Sequence, residues 1–423
     1  MRRAIVLVLD GLRRDMITRE LTPNLVAHSA VAQSFTAHRS VFPSATRVVS
    51  SSLATGCFPA KHELAGNSMV LMEDGRLVAH DAGHPGFLQH KRRVTGRSLA
   101  MPTMAERVKG HGGAIIYANV SPGAGYAHDP DGHGITYHRA GSYGPGRVPI
   151  GDWDASRLTP DEAGDRVMAE RFIADVVRGP RKPALGVVWL AEPDISSHAH
   201  PLGSPDQTAA IKASDATARL VIDAVAEARS GGEDIVLVVA SDHGHQTVAG
   251  VIDIEAELVE AGLKLGPGSG DVVSTSNGTS ALVYVHPDHN ARRDAIGSFL
   301  ARRPWAGEVV AADDLARLGQ TSRDGLALAV AMAASEDTNE YGIPGKSYAA
   351  KPGAGKADRL QCGQHGGLAR YEQSPFLMIQ GRGFHAGTAC DIPTSAVDIA
   401  PTILTHLGIA HDGLDGRALQ GNR

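Results

Sequence analysis

Three unbroken apolar runs punctuate an otherwise mixed chain. They are Ala4 to Leu9, Ala184 to Leu190, and the stretch from Asp234 to Ala240. Each is six or seven residues long and rich in Val, Ile and Leu, the signature of a strand buried on both faces of a parallel sheet. Ala114 to Tyr117 and Phe376 to Ile379 are shorter candidates. Between the runs the apolar period changes to that of helices, most clearly from Pro160 to about Val177. Further helices are expected from about Gln207 to Ala228, Ile252 to Ala261, Asn290 to Ala301 and Ser395 to Leu407. Strands alternating with helices predict an α/β fold with a mainly parallel central sheet and helices on both faces. Ligands of such sheets bind beyond the carboxyl ends of the strands. The first apolar run ends in Asp10-Gly11, the second in Glu192-Pro193-Asp194 and the third in Ser241-Asp242-His243-Gly244, so their acids and imidazole all fall on that edge.

Two regions break the alternation. Residues 119–158 are rich in Gly, Pro, His and Asp, and residues 336–364 in Gly, Lys and polar side chains. Neither is long enough for a domain of its own. The expected organisation is one catalytic domain over residues 1–423, with an insertion beside the site at about 119–158 and a smaller cap-like segment at about 265–350. Aromatic residues make up only 4% of the chain, so Ala, Val, Leu and Ile must fill the core. The net charge of −5 with dispersed Lys and Arg argues against nucleic acid as an obligate partner. Three distant cysteines, Cys57, Cys362 and Cys390, form no disulfide framework. The apolar run after Arg2-Arg3 is too short for a secretion signal, and no run approaches the ~20 residues of a membrane span. A cytoplasmic protein with a small-molecule substrate and no membrane partner is expected.

The chemistry gathers in a few short segments. Asp194 and His198 are four apart, so a helical turn would face both toward one cation. Asp242 and His243 are adjacent, and Asp10 and His365 complete a set of three Asp and three His. Zinc takes such nitrogen and oxygen ligands and keeps an open position for catalysis. Two ions about 4 Å apart can clamp the attacking and leaving oxygens of an in-line displacement. Taken singly, each Asp reads as a turn or cap residue and each His as a surface residue. The hydroxyl candidate is Thr46. Pro43 blocks helix before it and a run of small and apolar residues follows, so a helix should start near Thr46, where its positive end suits phosphate. The plainer alternative is that Thr46 is a helix N-cap.

With these segments in place, the sequence resembles the alkaline phosphatase superfamily, most closely its nucleotide pyrophosphatase/phosphodiesterase branch. The resemblance rests on Val8-Leu9-Asp10-Gly11, Pro43-Ser44-Ala45-Thr46 with Thr55-Gly56 nine residues on, Glu192-Pro193-Asp194 with His198, Ser241-Asp242-His243-Gly244 and Gly363-Gln364-His365-Gly366. These elements lie in the family's order and span most of the chain. The resemblance implies two divalent metal ions, zinc first among them, one held by Asp194, His198 and His365 and the other by Asp10, Thr46, Asp242 and His243. It implies that Thr46 attacks phosphorus to form a phosphothreonine that water then hydrolyses. His62-Glu63-Leu64-Ala65-Gly66-Asn67 is similar to the segment carrying the branch's phosphate-binding asparagine, which makes Asn67 a donor to a non-bridging oxygen. Read without that likeness, Asn67 is a left-handed turn residue after Gly66.

The chain also departs from the pattern. Where the branch often has Phe-Pro-Asn after the nucleophile, this sequence has Arg47-Val48-Val49; Arg47 is a phosphate ligand or a surface helix residue. The expected activity is hydrolysis of phosphodiesters or nucleotide pyrophosphates, with phosphomonoester or phosphonoacetate-type phosphonate hydrolysis as the alternative. The lysines that follow the corresponding strand in phosphonoacetate hydrolases are absent from Ala118-Asn119-Val120-Ser121-Pro122. Tyr117, Tyr126, His128 and Tyr137 are candidates for the leaving-group pocket.

Overall fold

The computed structural model describes residues 2–151 and 158–422. At its centre is a ten-stranded sheet. Five adjacent strands run parallel in the order Asp234–Ala240, Arg2–Leu9, Leu185–Leu190, Ala114–Ala118 and Ile135–Tyr137. Residues alternate between the two faces of a strand, and here both faces are covered. Ile5, Leu7 and Leu9 pack with Phe172, Ile211 and Val221 on one side. Ala4, Val6 and Val8 pack with Met104, Ile403 and Leu404 on the other. This two-sided burial explains why these strands carry no polar alternation in the sequence.

Helices Glu162–Phe172, extended by a wider π turn over Ile173–Val177, and Pro205–Ser230 cover the first face. Helix Ile399–Leu407 covers the second. The remaining expected helices form at shifted bounds. Ile254–Glu260 is short, and the expected 290–301 helix divides into a 3-10 turn over Pro287–Arg292 and a helix over Arg293–Leu300. Pro287 fixes that start, since proline suits a first helical turn.

The apolar run near Phe376 forms the strand Leu377–Gln380, but it runs antiparallel to Asp234–Ala240. Beyond it lie Gln33–Phe35 and Thr388–Cys390. At the opposite edge, Ile135–Tyr137, Ser142–Gly144 and Val148–Ile150 extend the main sheet from within the Gly- and Pro-rich 119–158 segment. Residues 152–157 of that segment lie outside the described residues.

A separate antiparallel sheet joins Val272–Ser276, Ser280–Val285, Leu326–Met332 and Ala306–Ala311. It has its own apolar cluster around Val283, Ile296, Leu300, Trp305 and Val330. A third sheet pairs Gln246–Ile252 with Pro344–Ala350 and Gly363–Gln364, which brings the residue before His365 back beside the end of the Asp242-His243 turn. Among the described residues no helix is long and apolar enough to cross a membrane.

Candidate active site

Four chain segments meet beyond the carboxyl ends of the central strands. Asp10 ends the first strand, and Trp189 Nε1 donates to its Oδ2 at 2.9 Å. Gly11 follows at φ +70, with its N–H on Asp242 Oδ1 at 3.0 Å. A Cβ at Gly11 would stand 2.4 Å from His245 and 3.1 Å from Asp194, so both the turn and the close approach require glycine. Asp194 opens the short helix Asp194–Ala199 and His198 lies one turn on, as the four-residue spacing predicts.

Side chains converge in two groups. Asp10, Asp242 and His243 form one, and Asp194, His198, His245 and His365 the other. Thr46 joins the first, its Oγ1 3.1 Å from His243 Nε2. The same nitrogen lies 3.2 Å from Asp242 Oδ2 and 3.5 Å from Asp10 Oδ1. In the second group Asp194 Oδ1 faces three imidazole nitrogens, His245 at 2.9 Å, His198 at 3.3 Å and His365 at 3.5 Å. The rings of His243 and His365 stack with centroids 3.6 Å apart, so the groups adjoin. All seven residues expected to form the metal centre therefore lie together.

The tautomers are set from behind. His198 Nδ1 lies 2.8 Å from the carbonyl of Gly363, His243 Nδ1 3.1 Å from that of Gly244, His245 Nδ1 3.0 Å from that of Gly11 and His365 Nδ1 2.8 Å from that of Ser44. A carbonyl only accepts, so each Nδ1 carries hydrogen and donates, leaving Nε2 of a neutral ring as a lone pair aimed at the carboxylates. Burial favours that neutral form, taking His243 down to about 3 and His198 and His365 well below the usual imidazole range. Burial, together with the charges of Asp242 and Asp194, lifts Asp10 well above the ordinary carboxylate range. Burial likewise lifts Asp242, and Asp194 adds to it. Burial also pushes Asp194 upward; positive charge on His198 or the other facing imidazoles would hold it low, the part a cation takes when those rings are neutral. Asp10 Oδ1 and Asp242 Oδ2 are buried with no hydrogen-bond partner. Lone pairs facing lone pairs, with orphaned carboxylate oxygens among them, form a donor set that divalent cations satisfy.

Thr46 is the first residue of helix Thr46–Thr55, and the N-cap is Ala45. The hydroxyl is thus free of a capping role and stands at the positive end of the helix. Asn67 is near: its Oδ1 accepts the Arg47 main-chain N–H at 3.0 Å. That bond commits the oxygen, and among the described residues its NH2 group makes no hydrogen bond. Asn67 is not left-handed, contrary to the turn reading.

The pocket candidates fail. The Tyr117 hydroxyl bonds Asp175 and its ring stacks on Tyr137, Tyr126 is buried with its hydroxyl on the Gly141 carbonyl, and buried His128 packs edge-on to Trp189. These rings fill packing between elements instead of lining an open cleft. His245 escaped the sequence reading, although its place two residues after His243 was the available signal.

The structure is similar to that of murine ectonucleotide pyrophosphatase/phosphodiesterase 5, with TM-score 0.68 and 18% identity over 98% of this chain and 97% of that one. An inactive threonine-to-alanine variant of the murine protein, in complex with AMP, gives TM-score 0.69 at 17% identity with the same coverage. The human protein gives 0.67 at 16%, again over 98% and 97%. At these identities the likeness establishes the fold. No curated protein sequence matches the chain. The family model for type I phosphodiesterase/nucleotide pyrophosphatase matches residues 4–302, a span that holds Asp10, Thr46, Asp194 and Asp242. By that match, over most of its length, the chain belongs to the type I phosphodiesterase/nucleotide pyrophosphatase family.

Proposed function

We propose that this protein hydrolyses phosphodiester or nucleotide pyrophosphate bonds through a phosphothreonine formed on Thr46, with two divalent metal ions, zinc for preference. The observation that carries the reading is the convergence of four Nδ1-anchored imidazoles on buried carboxylates beside one uncapped threonine. Asp10, Asp242, His243 and Thr46 would hold one ion; Asp194, His198 and His365 would hold the other, with His245 adding a further nitrogen donor. When bound, such ions act as Lewis acids that favour an ionised hydroxyl and neutralise charge developing on oxygen.

The chain's own groups then define the reaction. Thr46 Oγ gives up its proton and attacks phosphorus in line, the bond to the leaving oxygen breaks as that oxygen takes up a proton, and a phosphothreonine that keeps the substrate's remaining ester group is left. Attack by water breaks the Thr46 O–P bond, releases the phosphorylated product and regenerates the hydroxyl. The helix N-terminus at Thr46 and the free NH2 of Asn67 face the non-bridging oxygens, where negative charge grows. Trp189 holds Asp10 in place, and the four carbonyls fix the imidazoles, so little reorganisation accompanies the step.

Replacing Thr46 with alanine tests this. Turnover of bis(p-nitrophenyl) phosphate should fall by about 10³ or more, with an unchanged melting temperature. Wild-type protein acid-quenched during turnover of this diester should carry a p-nitrophenyl phosphoryl group on the peptide containing Thr46. Undiminished turnover by the variant rules out the threonine mechanism. Phosphomonoester hydrolysis on the same core is a second reading, favoured by one feature, the guanidinium of Arg47 directly after the nucleophile.

A further inference from the structure

Arg47 is set beside the site, and its nearest acid, Asp81, feels its charge without forming a contact ion pair with it. Its main-chain N–H is held by Asn67. Its Nε is buried without a hydrogen-bond partner. Among the described residues no carboxylate reaches ion-pair distance of its guanidinium. Asp81, the neighbouring acid, is already engaged: Oδ1 accepts the Gly83 N–H at 2.7 Å and Oδ2 the Lys356 ammonium at 2.7 Å. The guanidinium lies against Gly83, where a Cβ would stand 2.4 Å from Nη2, so the bare backbone makes room for it. Arg47 follows Thr46 directly in the first turn of helix Thr46–Thr55, next to the hydroxyl.

A second guanidinium approaches from the other group. Arg359 takes a left-handed φ of +56 and directs Nη1 to Gln364 Oε1 at 3.5 Å, one residue before His365. It too has no ion pair among the described residues. Burial, outweighing the favourable charge of Asp194 and reinforced by repulsion from Arg47, disfavours its charged form. Two half-buried, mutually repelling guanidinium groups flank one site, and a bound anion relieves both.

We propose that Arg47 and Arg359 are specificity-determining residues that read a second negative charge on, or next to, the scissile phosphoryl group. This rests on the two-ion, Thr46 reading above. On that reading the charges decide the matter. Three carboxylates oppose two divalent ions and two guanidinium groups, leaving three positive charges, and an ionised Thr46 leaves two. A simple diester, with one negative charge, leaves the site cationic; a substrate carrying two makes it neutral. The charge comes either from a second oxyanion on the same phosphorus, as in a monoester, or from a neighbouring phosphate, as in a pyrophosphate. Planar guanidinium groups pair with either through two parallel N–H bonds.

The test uses zinc-loaded full-length protein at pH 8 with bis(p-nitrophenyl) phosphate, p-nitrophenyl phosphate and a dinucleoside pyrophosphate. In Arg47→Ala and Arg359→Ala, kcat/KM for a dianionic substrate should fall about 10- to 100-fold, and for the monoanionic diester several-fold less. Arg47→Lys should recover part of the loss. A selective loss on p-nitrophenyl phosphate assigns the second charge to the reacting phosphorus, and one on the pyrophosphate assigns it to the neighbour. Calorimetric titration of zinc-loaded Thr46→Ala protein with inorganic phosphate gives a readout independent of turnover, and adding Arg47→Ala should weaken binding by a similar factor. Equal losses on all substrates, or unweakened phosphate binding, overturn the proposal. Full activity in Thr46→Ala alone overturns the nucleophile reading instead, and the phosphate titration still judges the arginines.

Discussion

Asn67 shows how one amide joins structure to chemistry. Its oxygen accepts one of the free N–H groups in the first turn of the Thr46 helix, that of Arg47, which leaves only its NH2 for an oxyanion. Asn67→Asp separates the two. The carboxylate still accepts from Arg47 N, so the melting temperature should hold, but no donor remains and a negative charge faces phosphate. We expect kcat/KM to drop about 10²- to 10³-fold, the range for losing one oxyanion donor. A variant that melts early and keeps its turnover per folded molecule would instead make Asn67 a structural residue. The sequence made the acidic ligands legible because Asp10, Asp194 and Asp242 each follow a strand that must end there. For His245 the sequence offered only its place two residues after His243, and the fold shows that its ring turns back toward Asp194. The aromatic residues were not legible. Tyr117 and Tyr137 lie near the site in sequence, but alternation along their strands turns them into the helix-facing layer with Phe172.

At the scale of elements, the long buried strands were readable because unbroken apolar runs require cover on both faces. The edge strands were not. Ile135–Tyr137, Ser142–Gly144 and Val148–Ile150 are three residues each, too short for any period, and form by pairing with a sheet that already exists. The antiparallel direction of Leu377–Gln380 leaves no trace in its composition. The Thr46 helix was predicted from the break at Pro43, but its anchoring appears only in three dimensions. His62 is fully buried, takes the Leu64 N–H on Nδ1 at 3.2 Å, and therefore donates Nε2–H to Ser52 on that helix, 3.0 Å away. Both nitrogens are used by the neutral ring. Burial, with the charge of Lys91, lowers His62 to about 3. The unfolded chain takes up this proton first, near the ordinary value of 6.5. The stabilisation is complete above that pH and is lost as pH falls from there toward 3. In urea titrations His62→Gln should flatten the acid limb between pH 6 and 4 by about 1.4 kcal/mol per pH unit, one proton's worth. Identical slopes in the two proteins would place the acid sensitivity elsewhere.

For the molecule as a whole, the site concentrates electrostatic work that cations would take over. Without ions, burial and mutual repulsion leave Asp10 and Asp242 holding protons far above the carboxylate range. Folded values raised above the unfolded 3.8 mean that this contribution to stability is full at low pH and is lost as pH rises through the folded values. A chelated protein should therefore lose stability toward pH 8 through these groups. Metal ions require both carboxylates ionised, so the loaded protein gains as those protons leave. The two trends have opposite signs, and the difference in melting temperature between zinc-loaded and chelated protein should widen steadily from pH 5 to pH 8. The same linkage requires proton release on binding. Zinc titrations at pH 7 in two buffers of different ionisation heat should report at least about one proton expelled as the two sites fill. A gap that stays constant with pH, together with no buffer dependence of the binding heat, would mean that cations do not enter between Asp10 and Asp242, and the chemistry assigned to Thr46 would lose its activating partner.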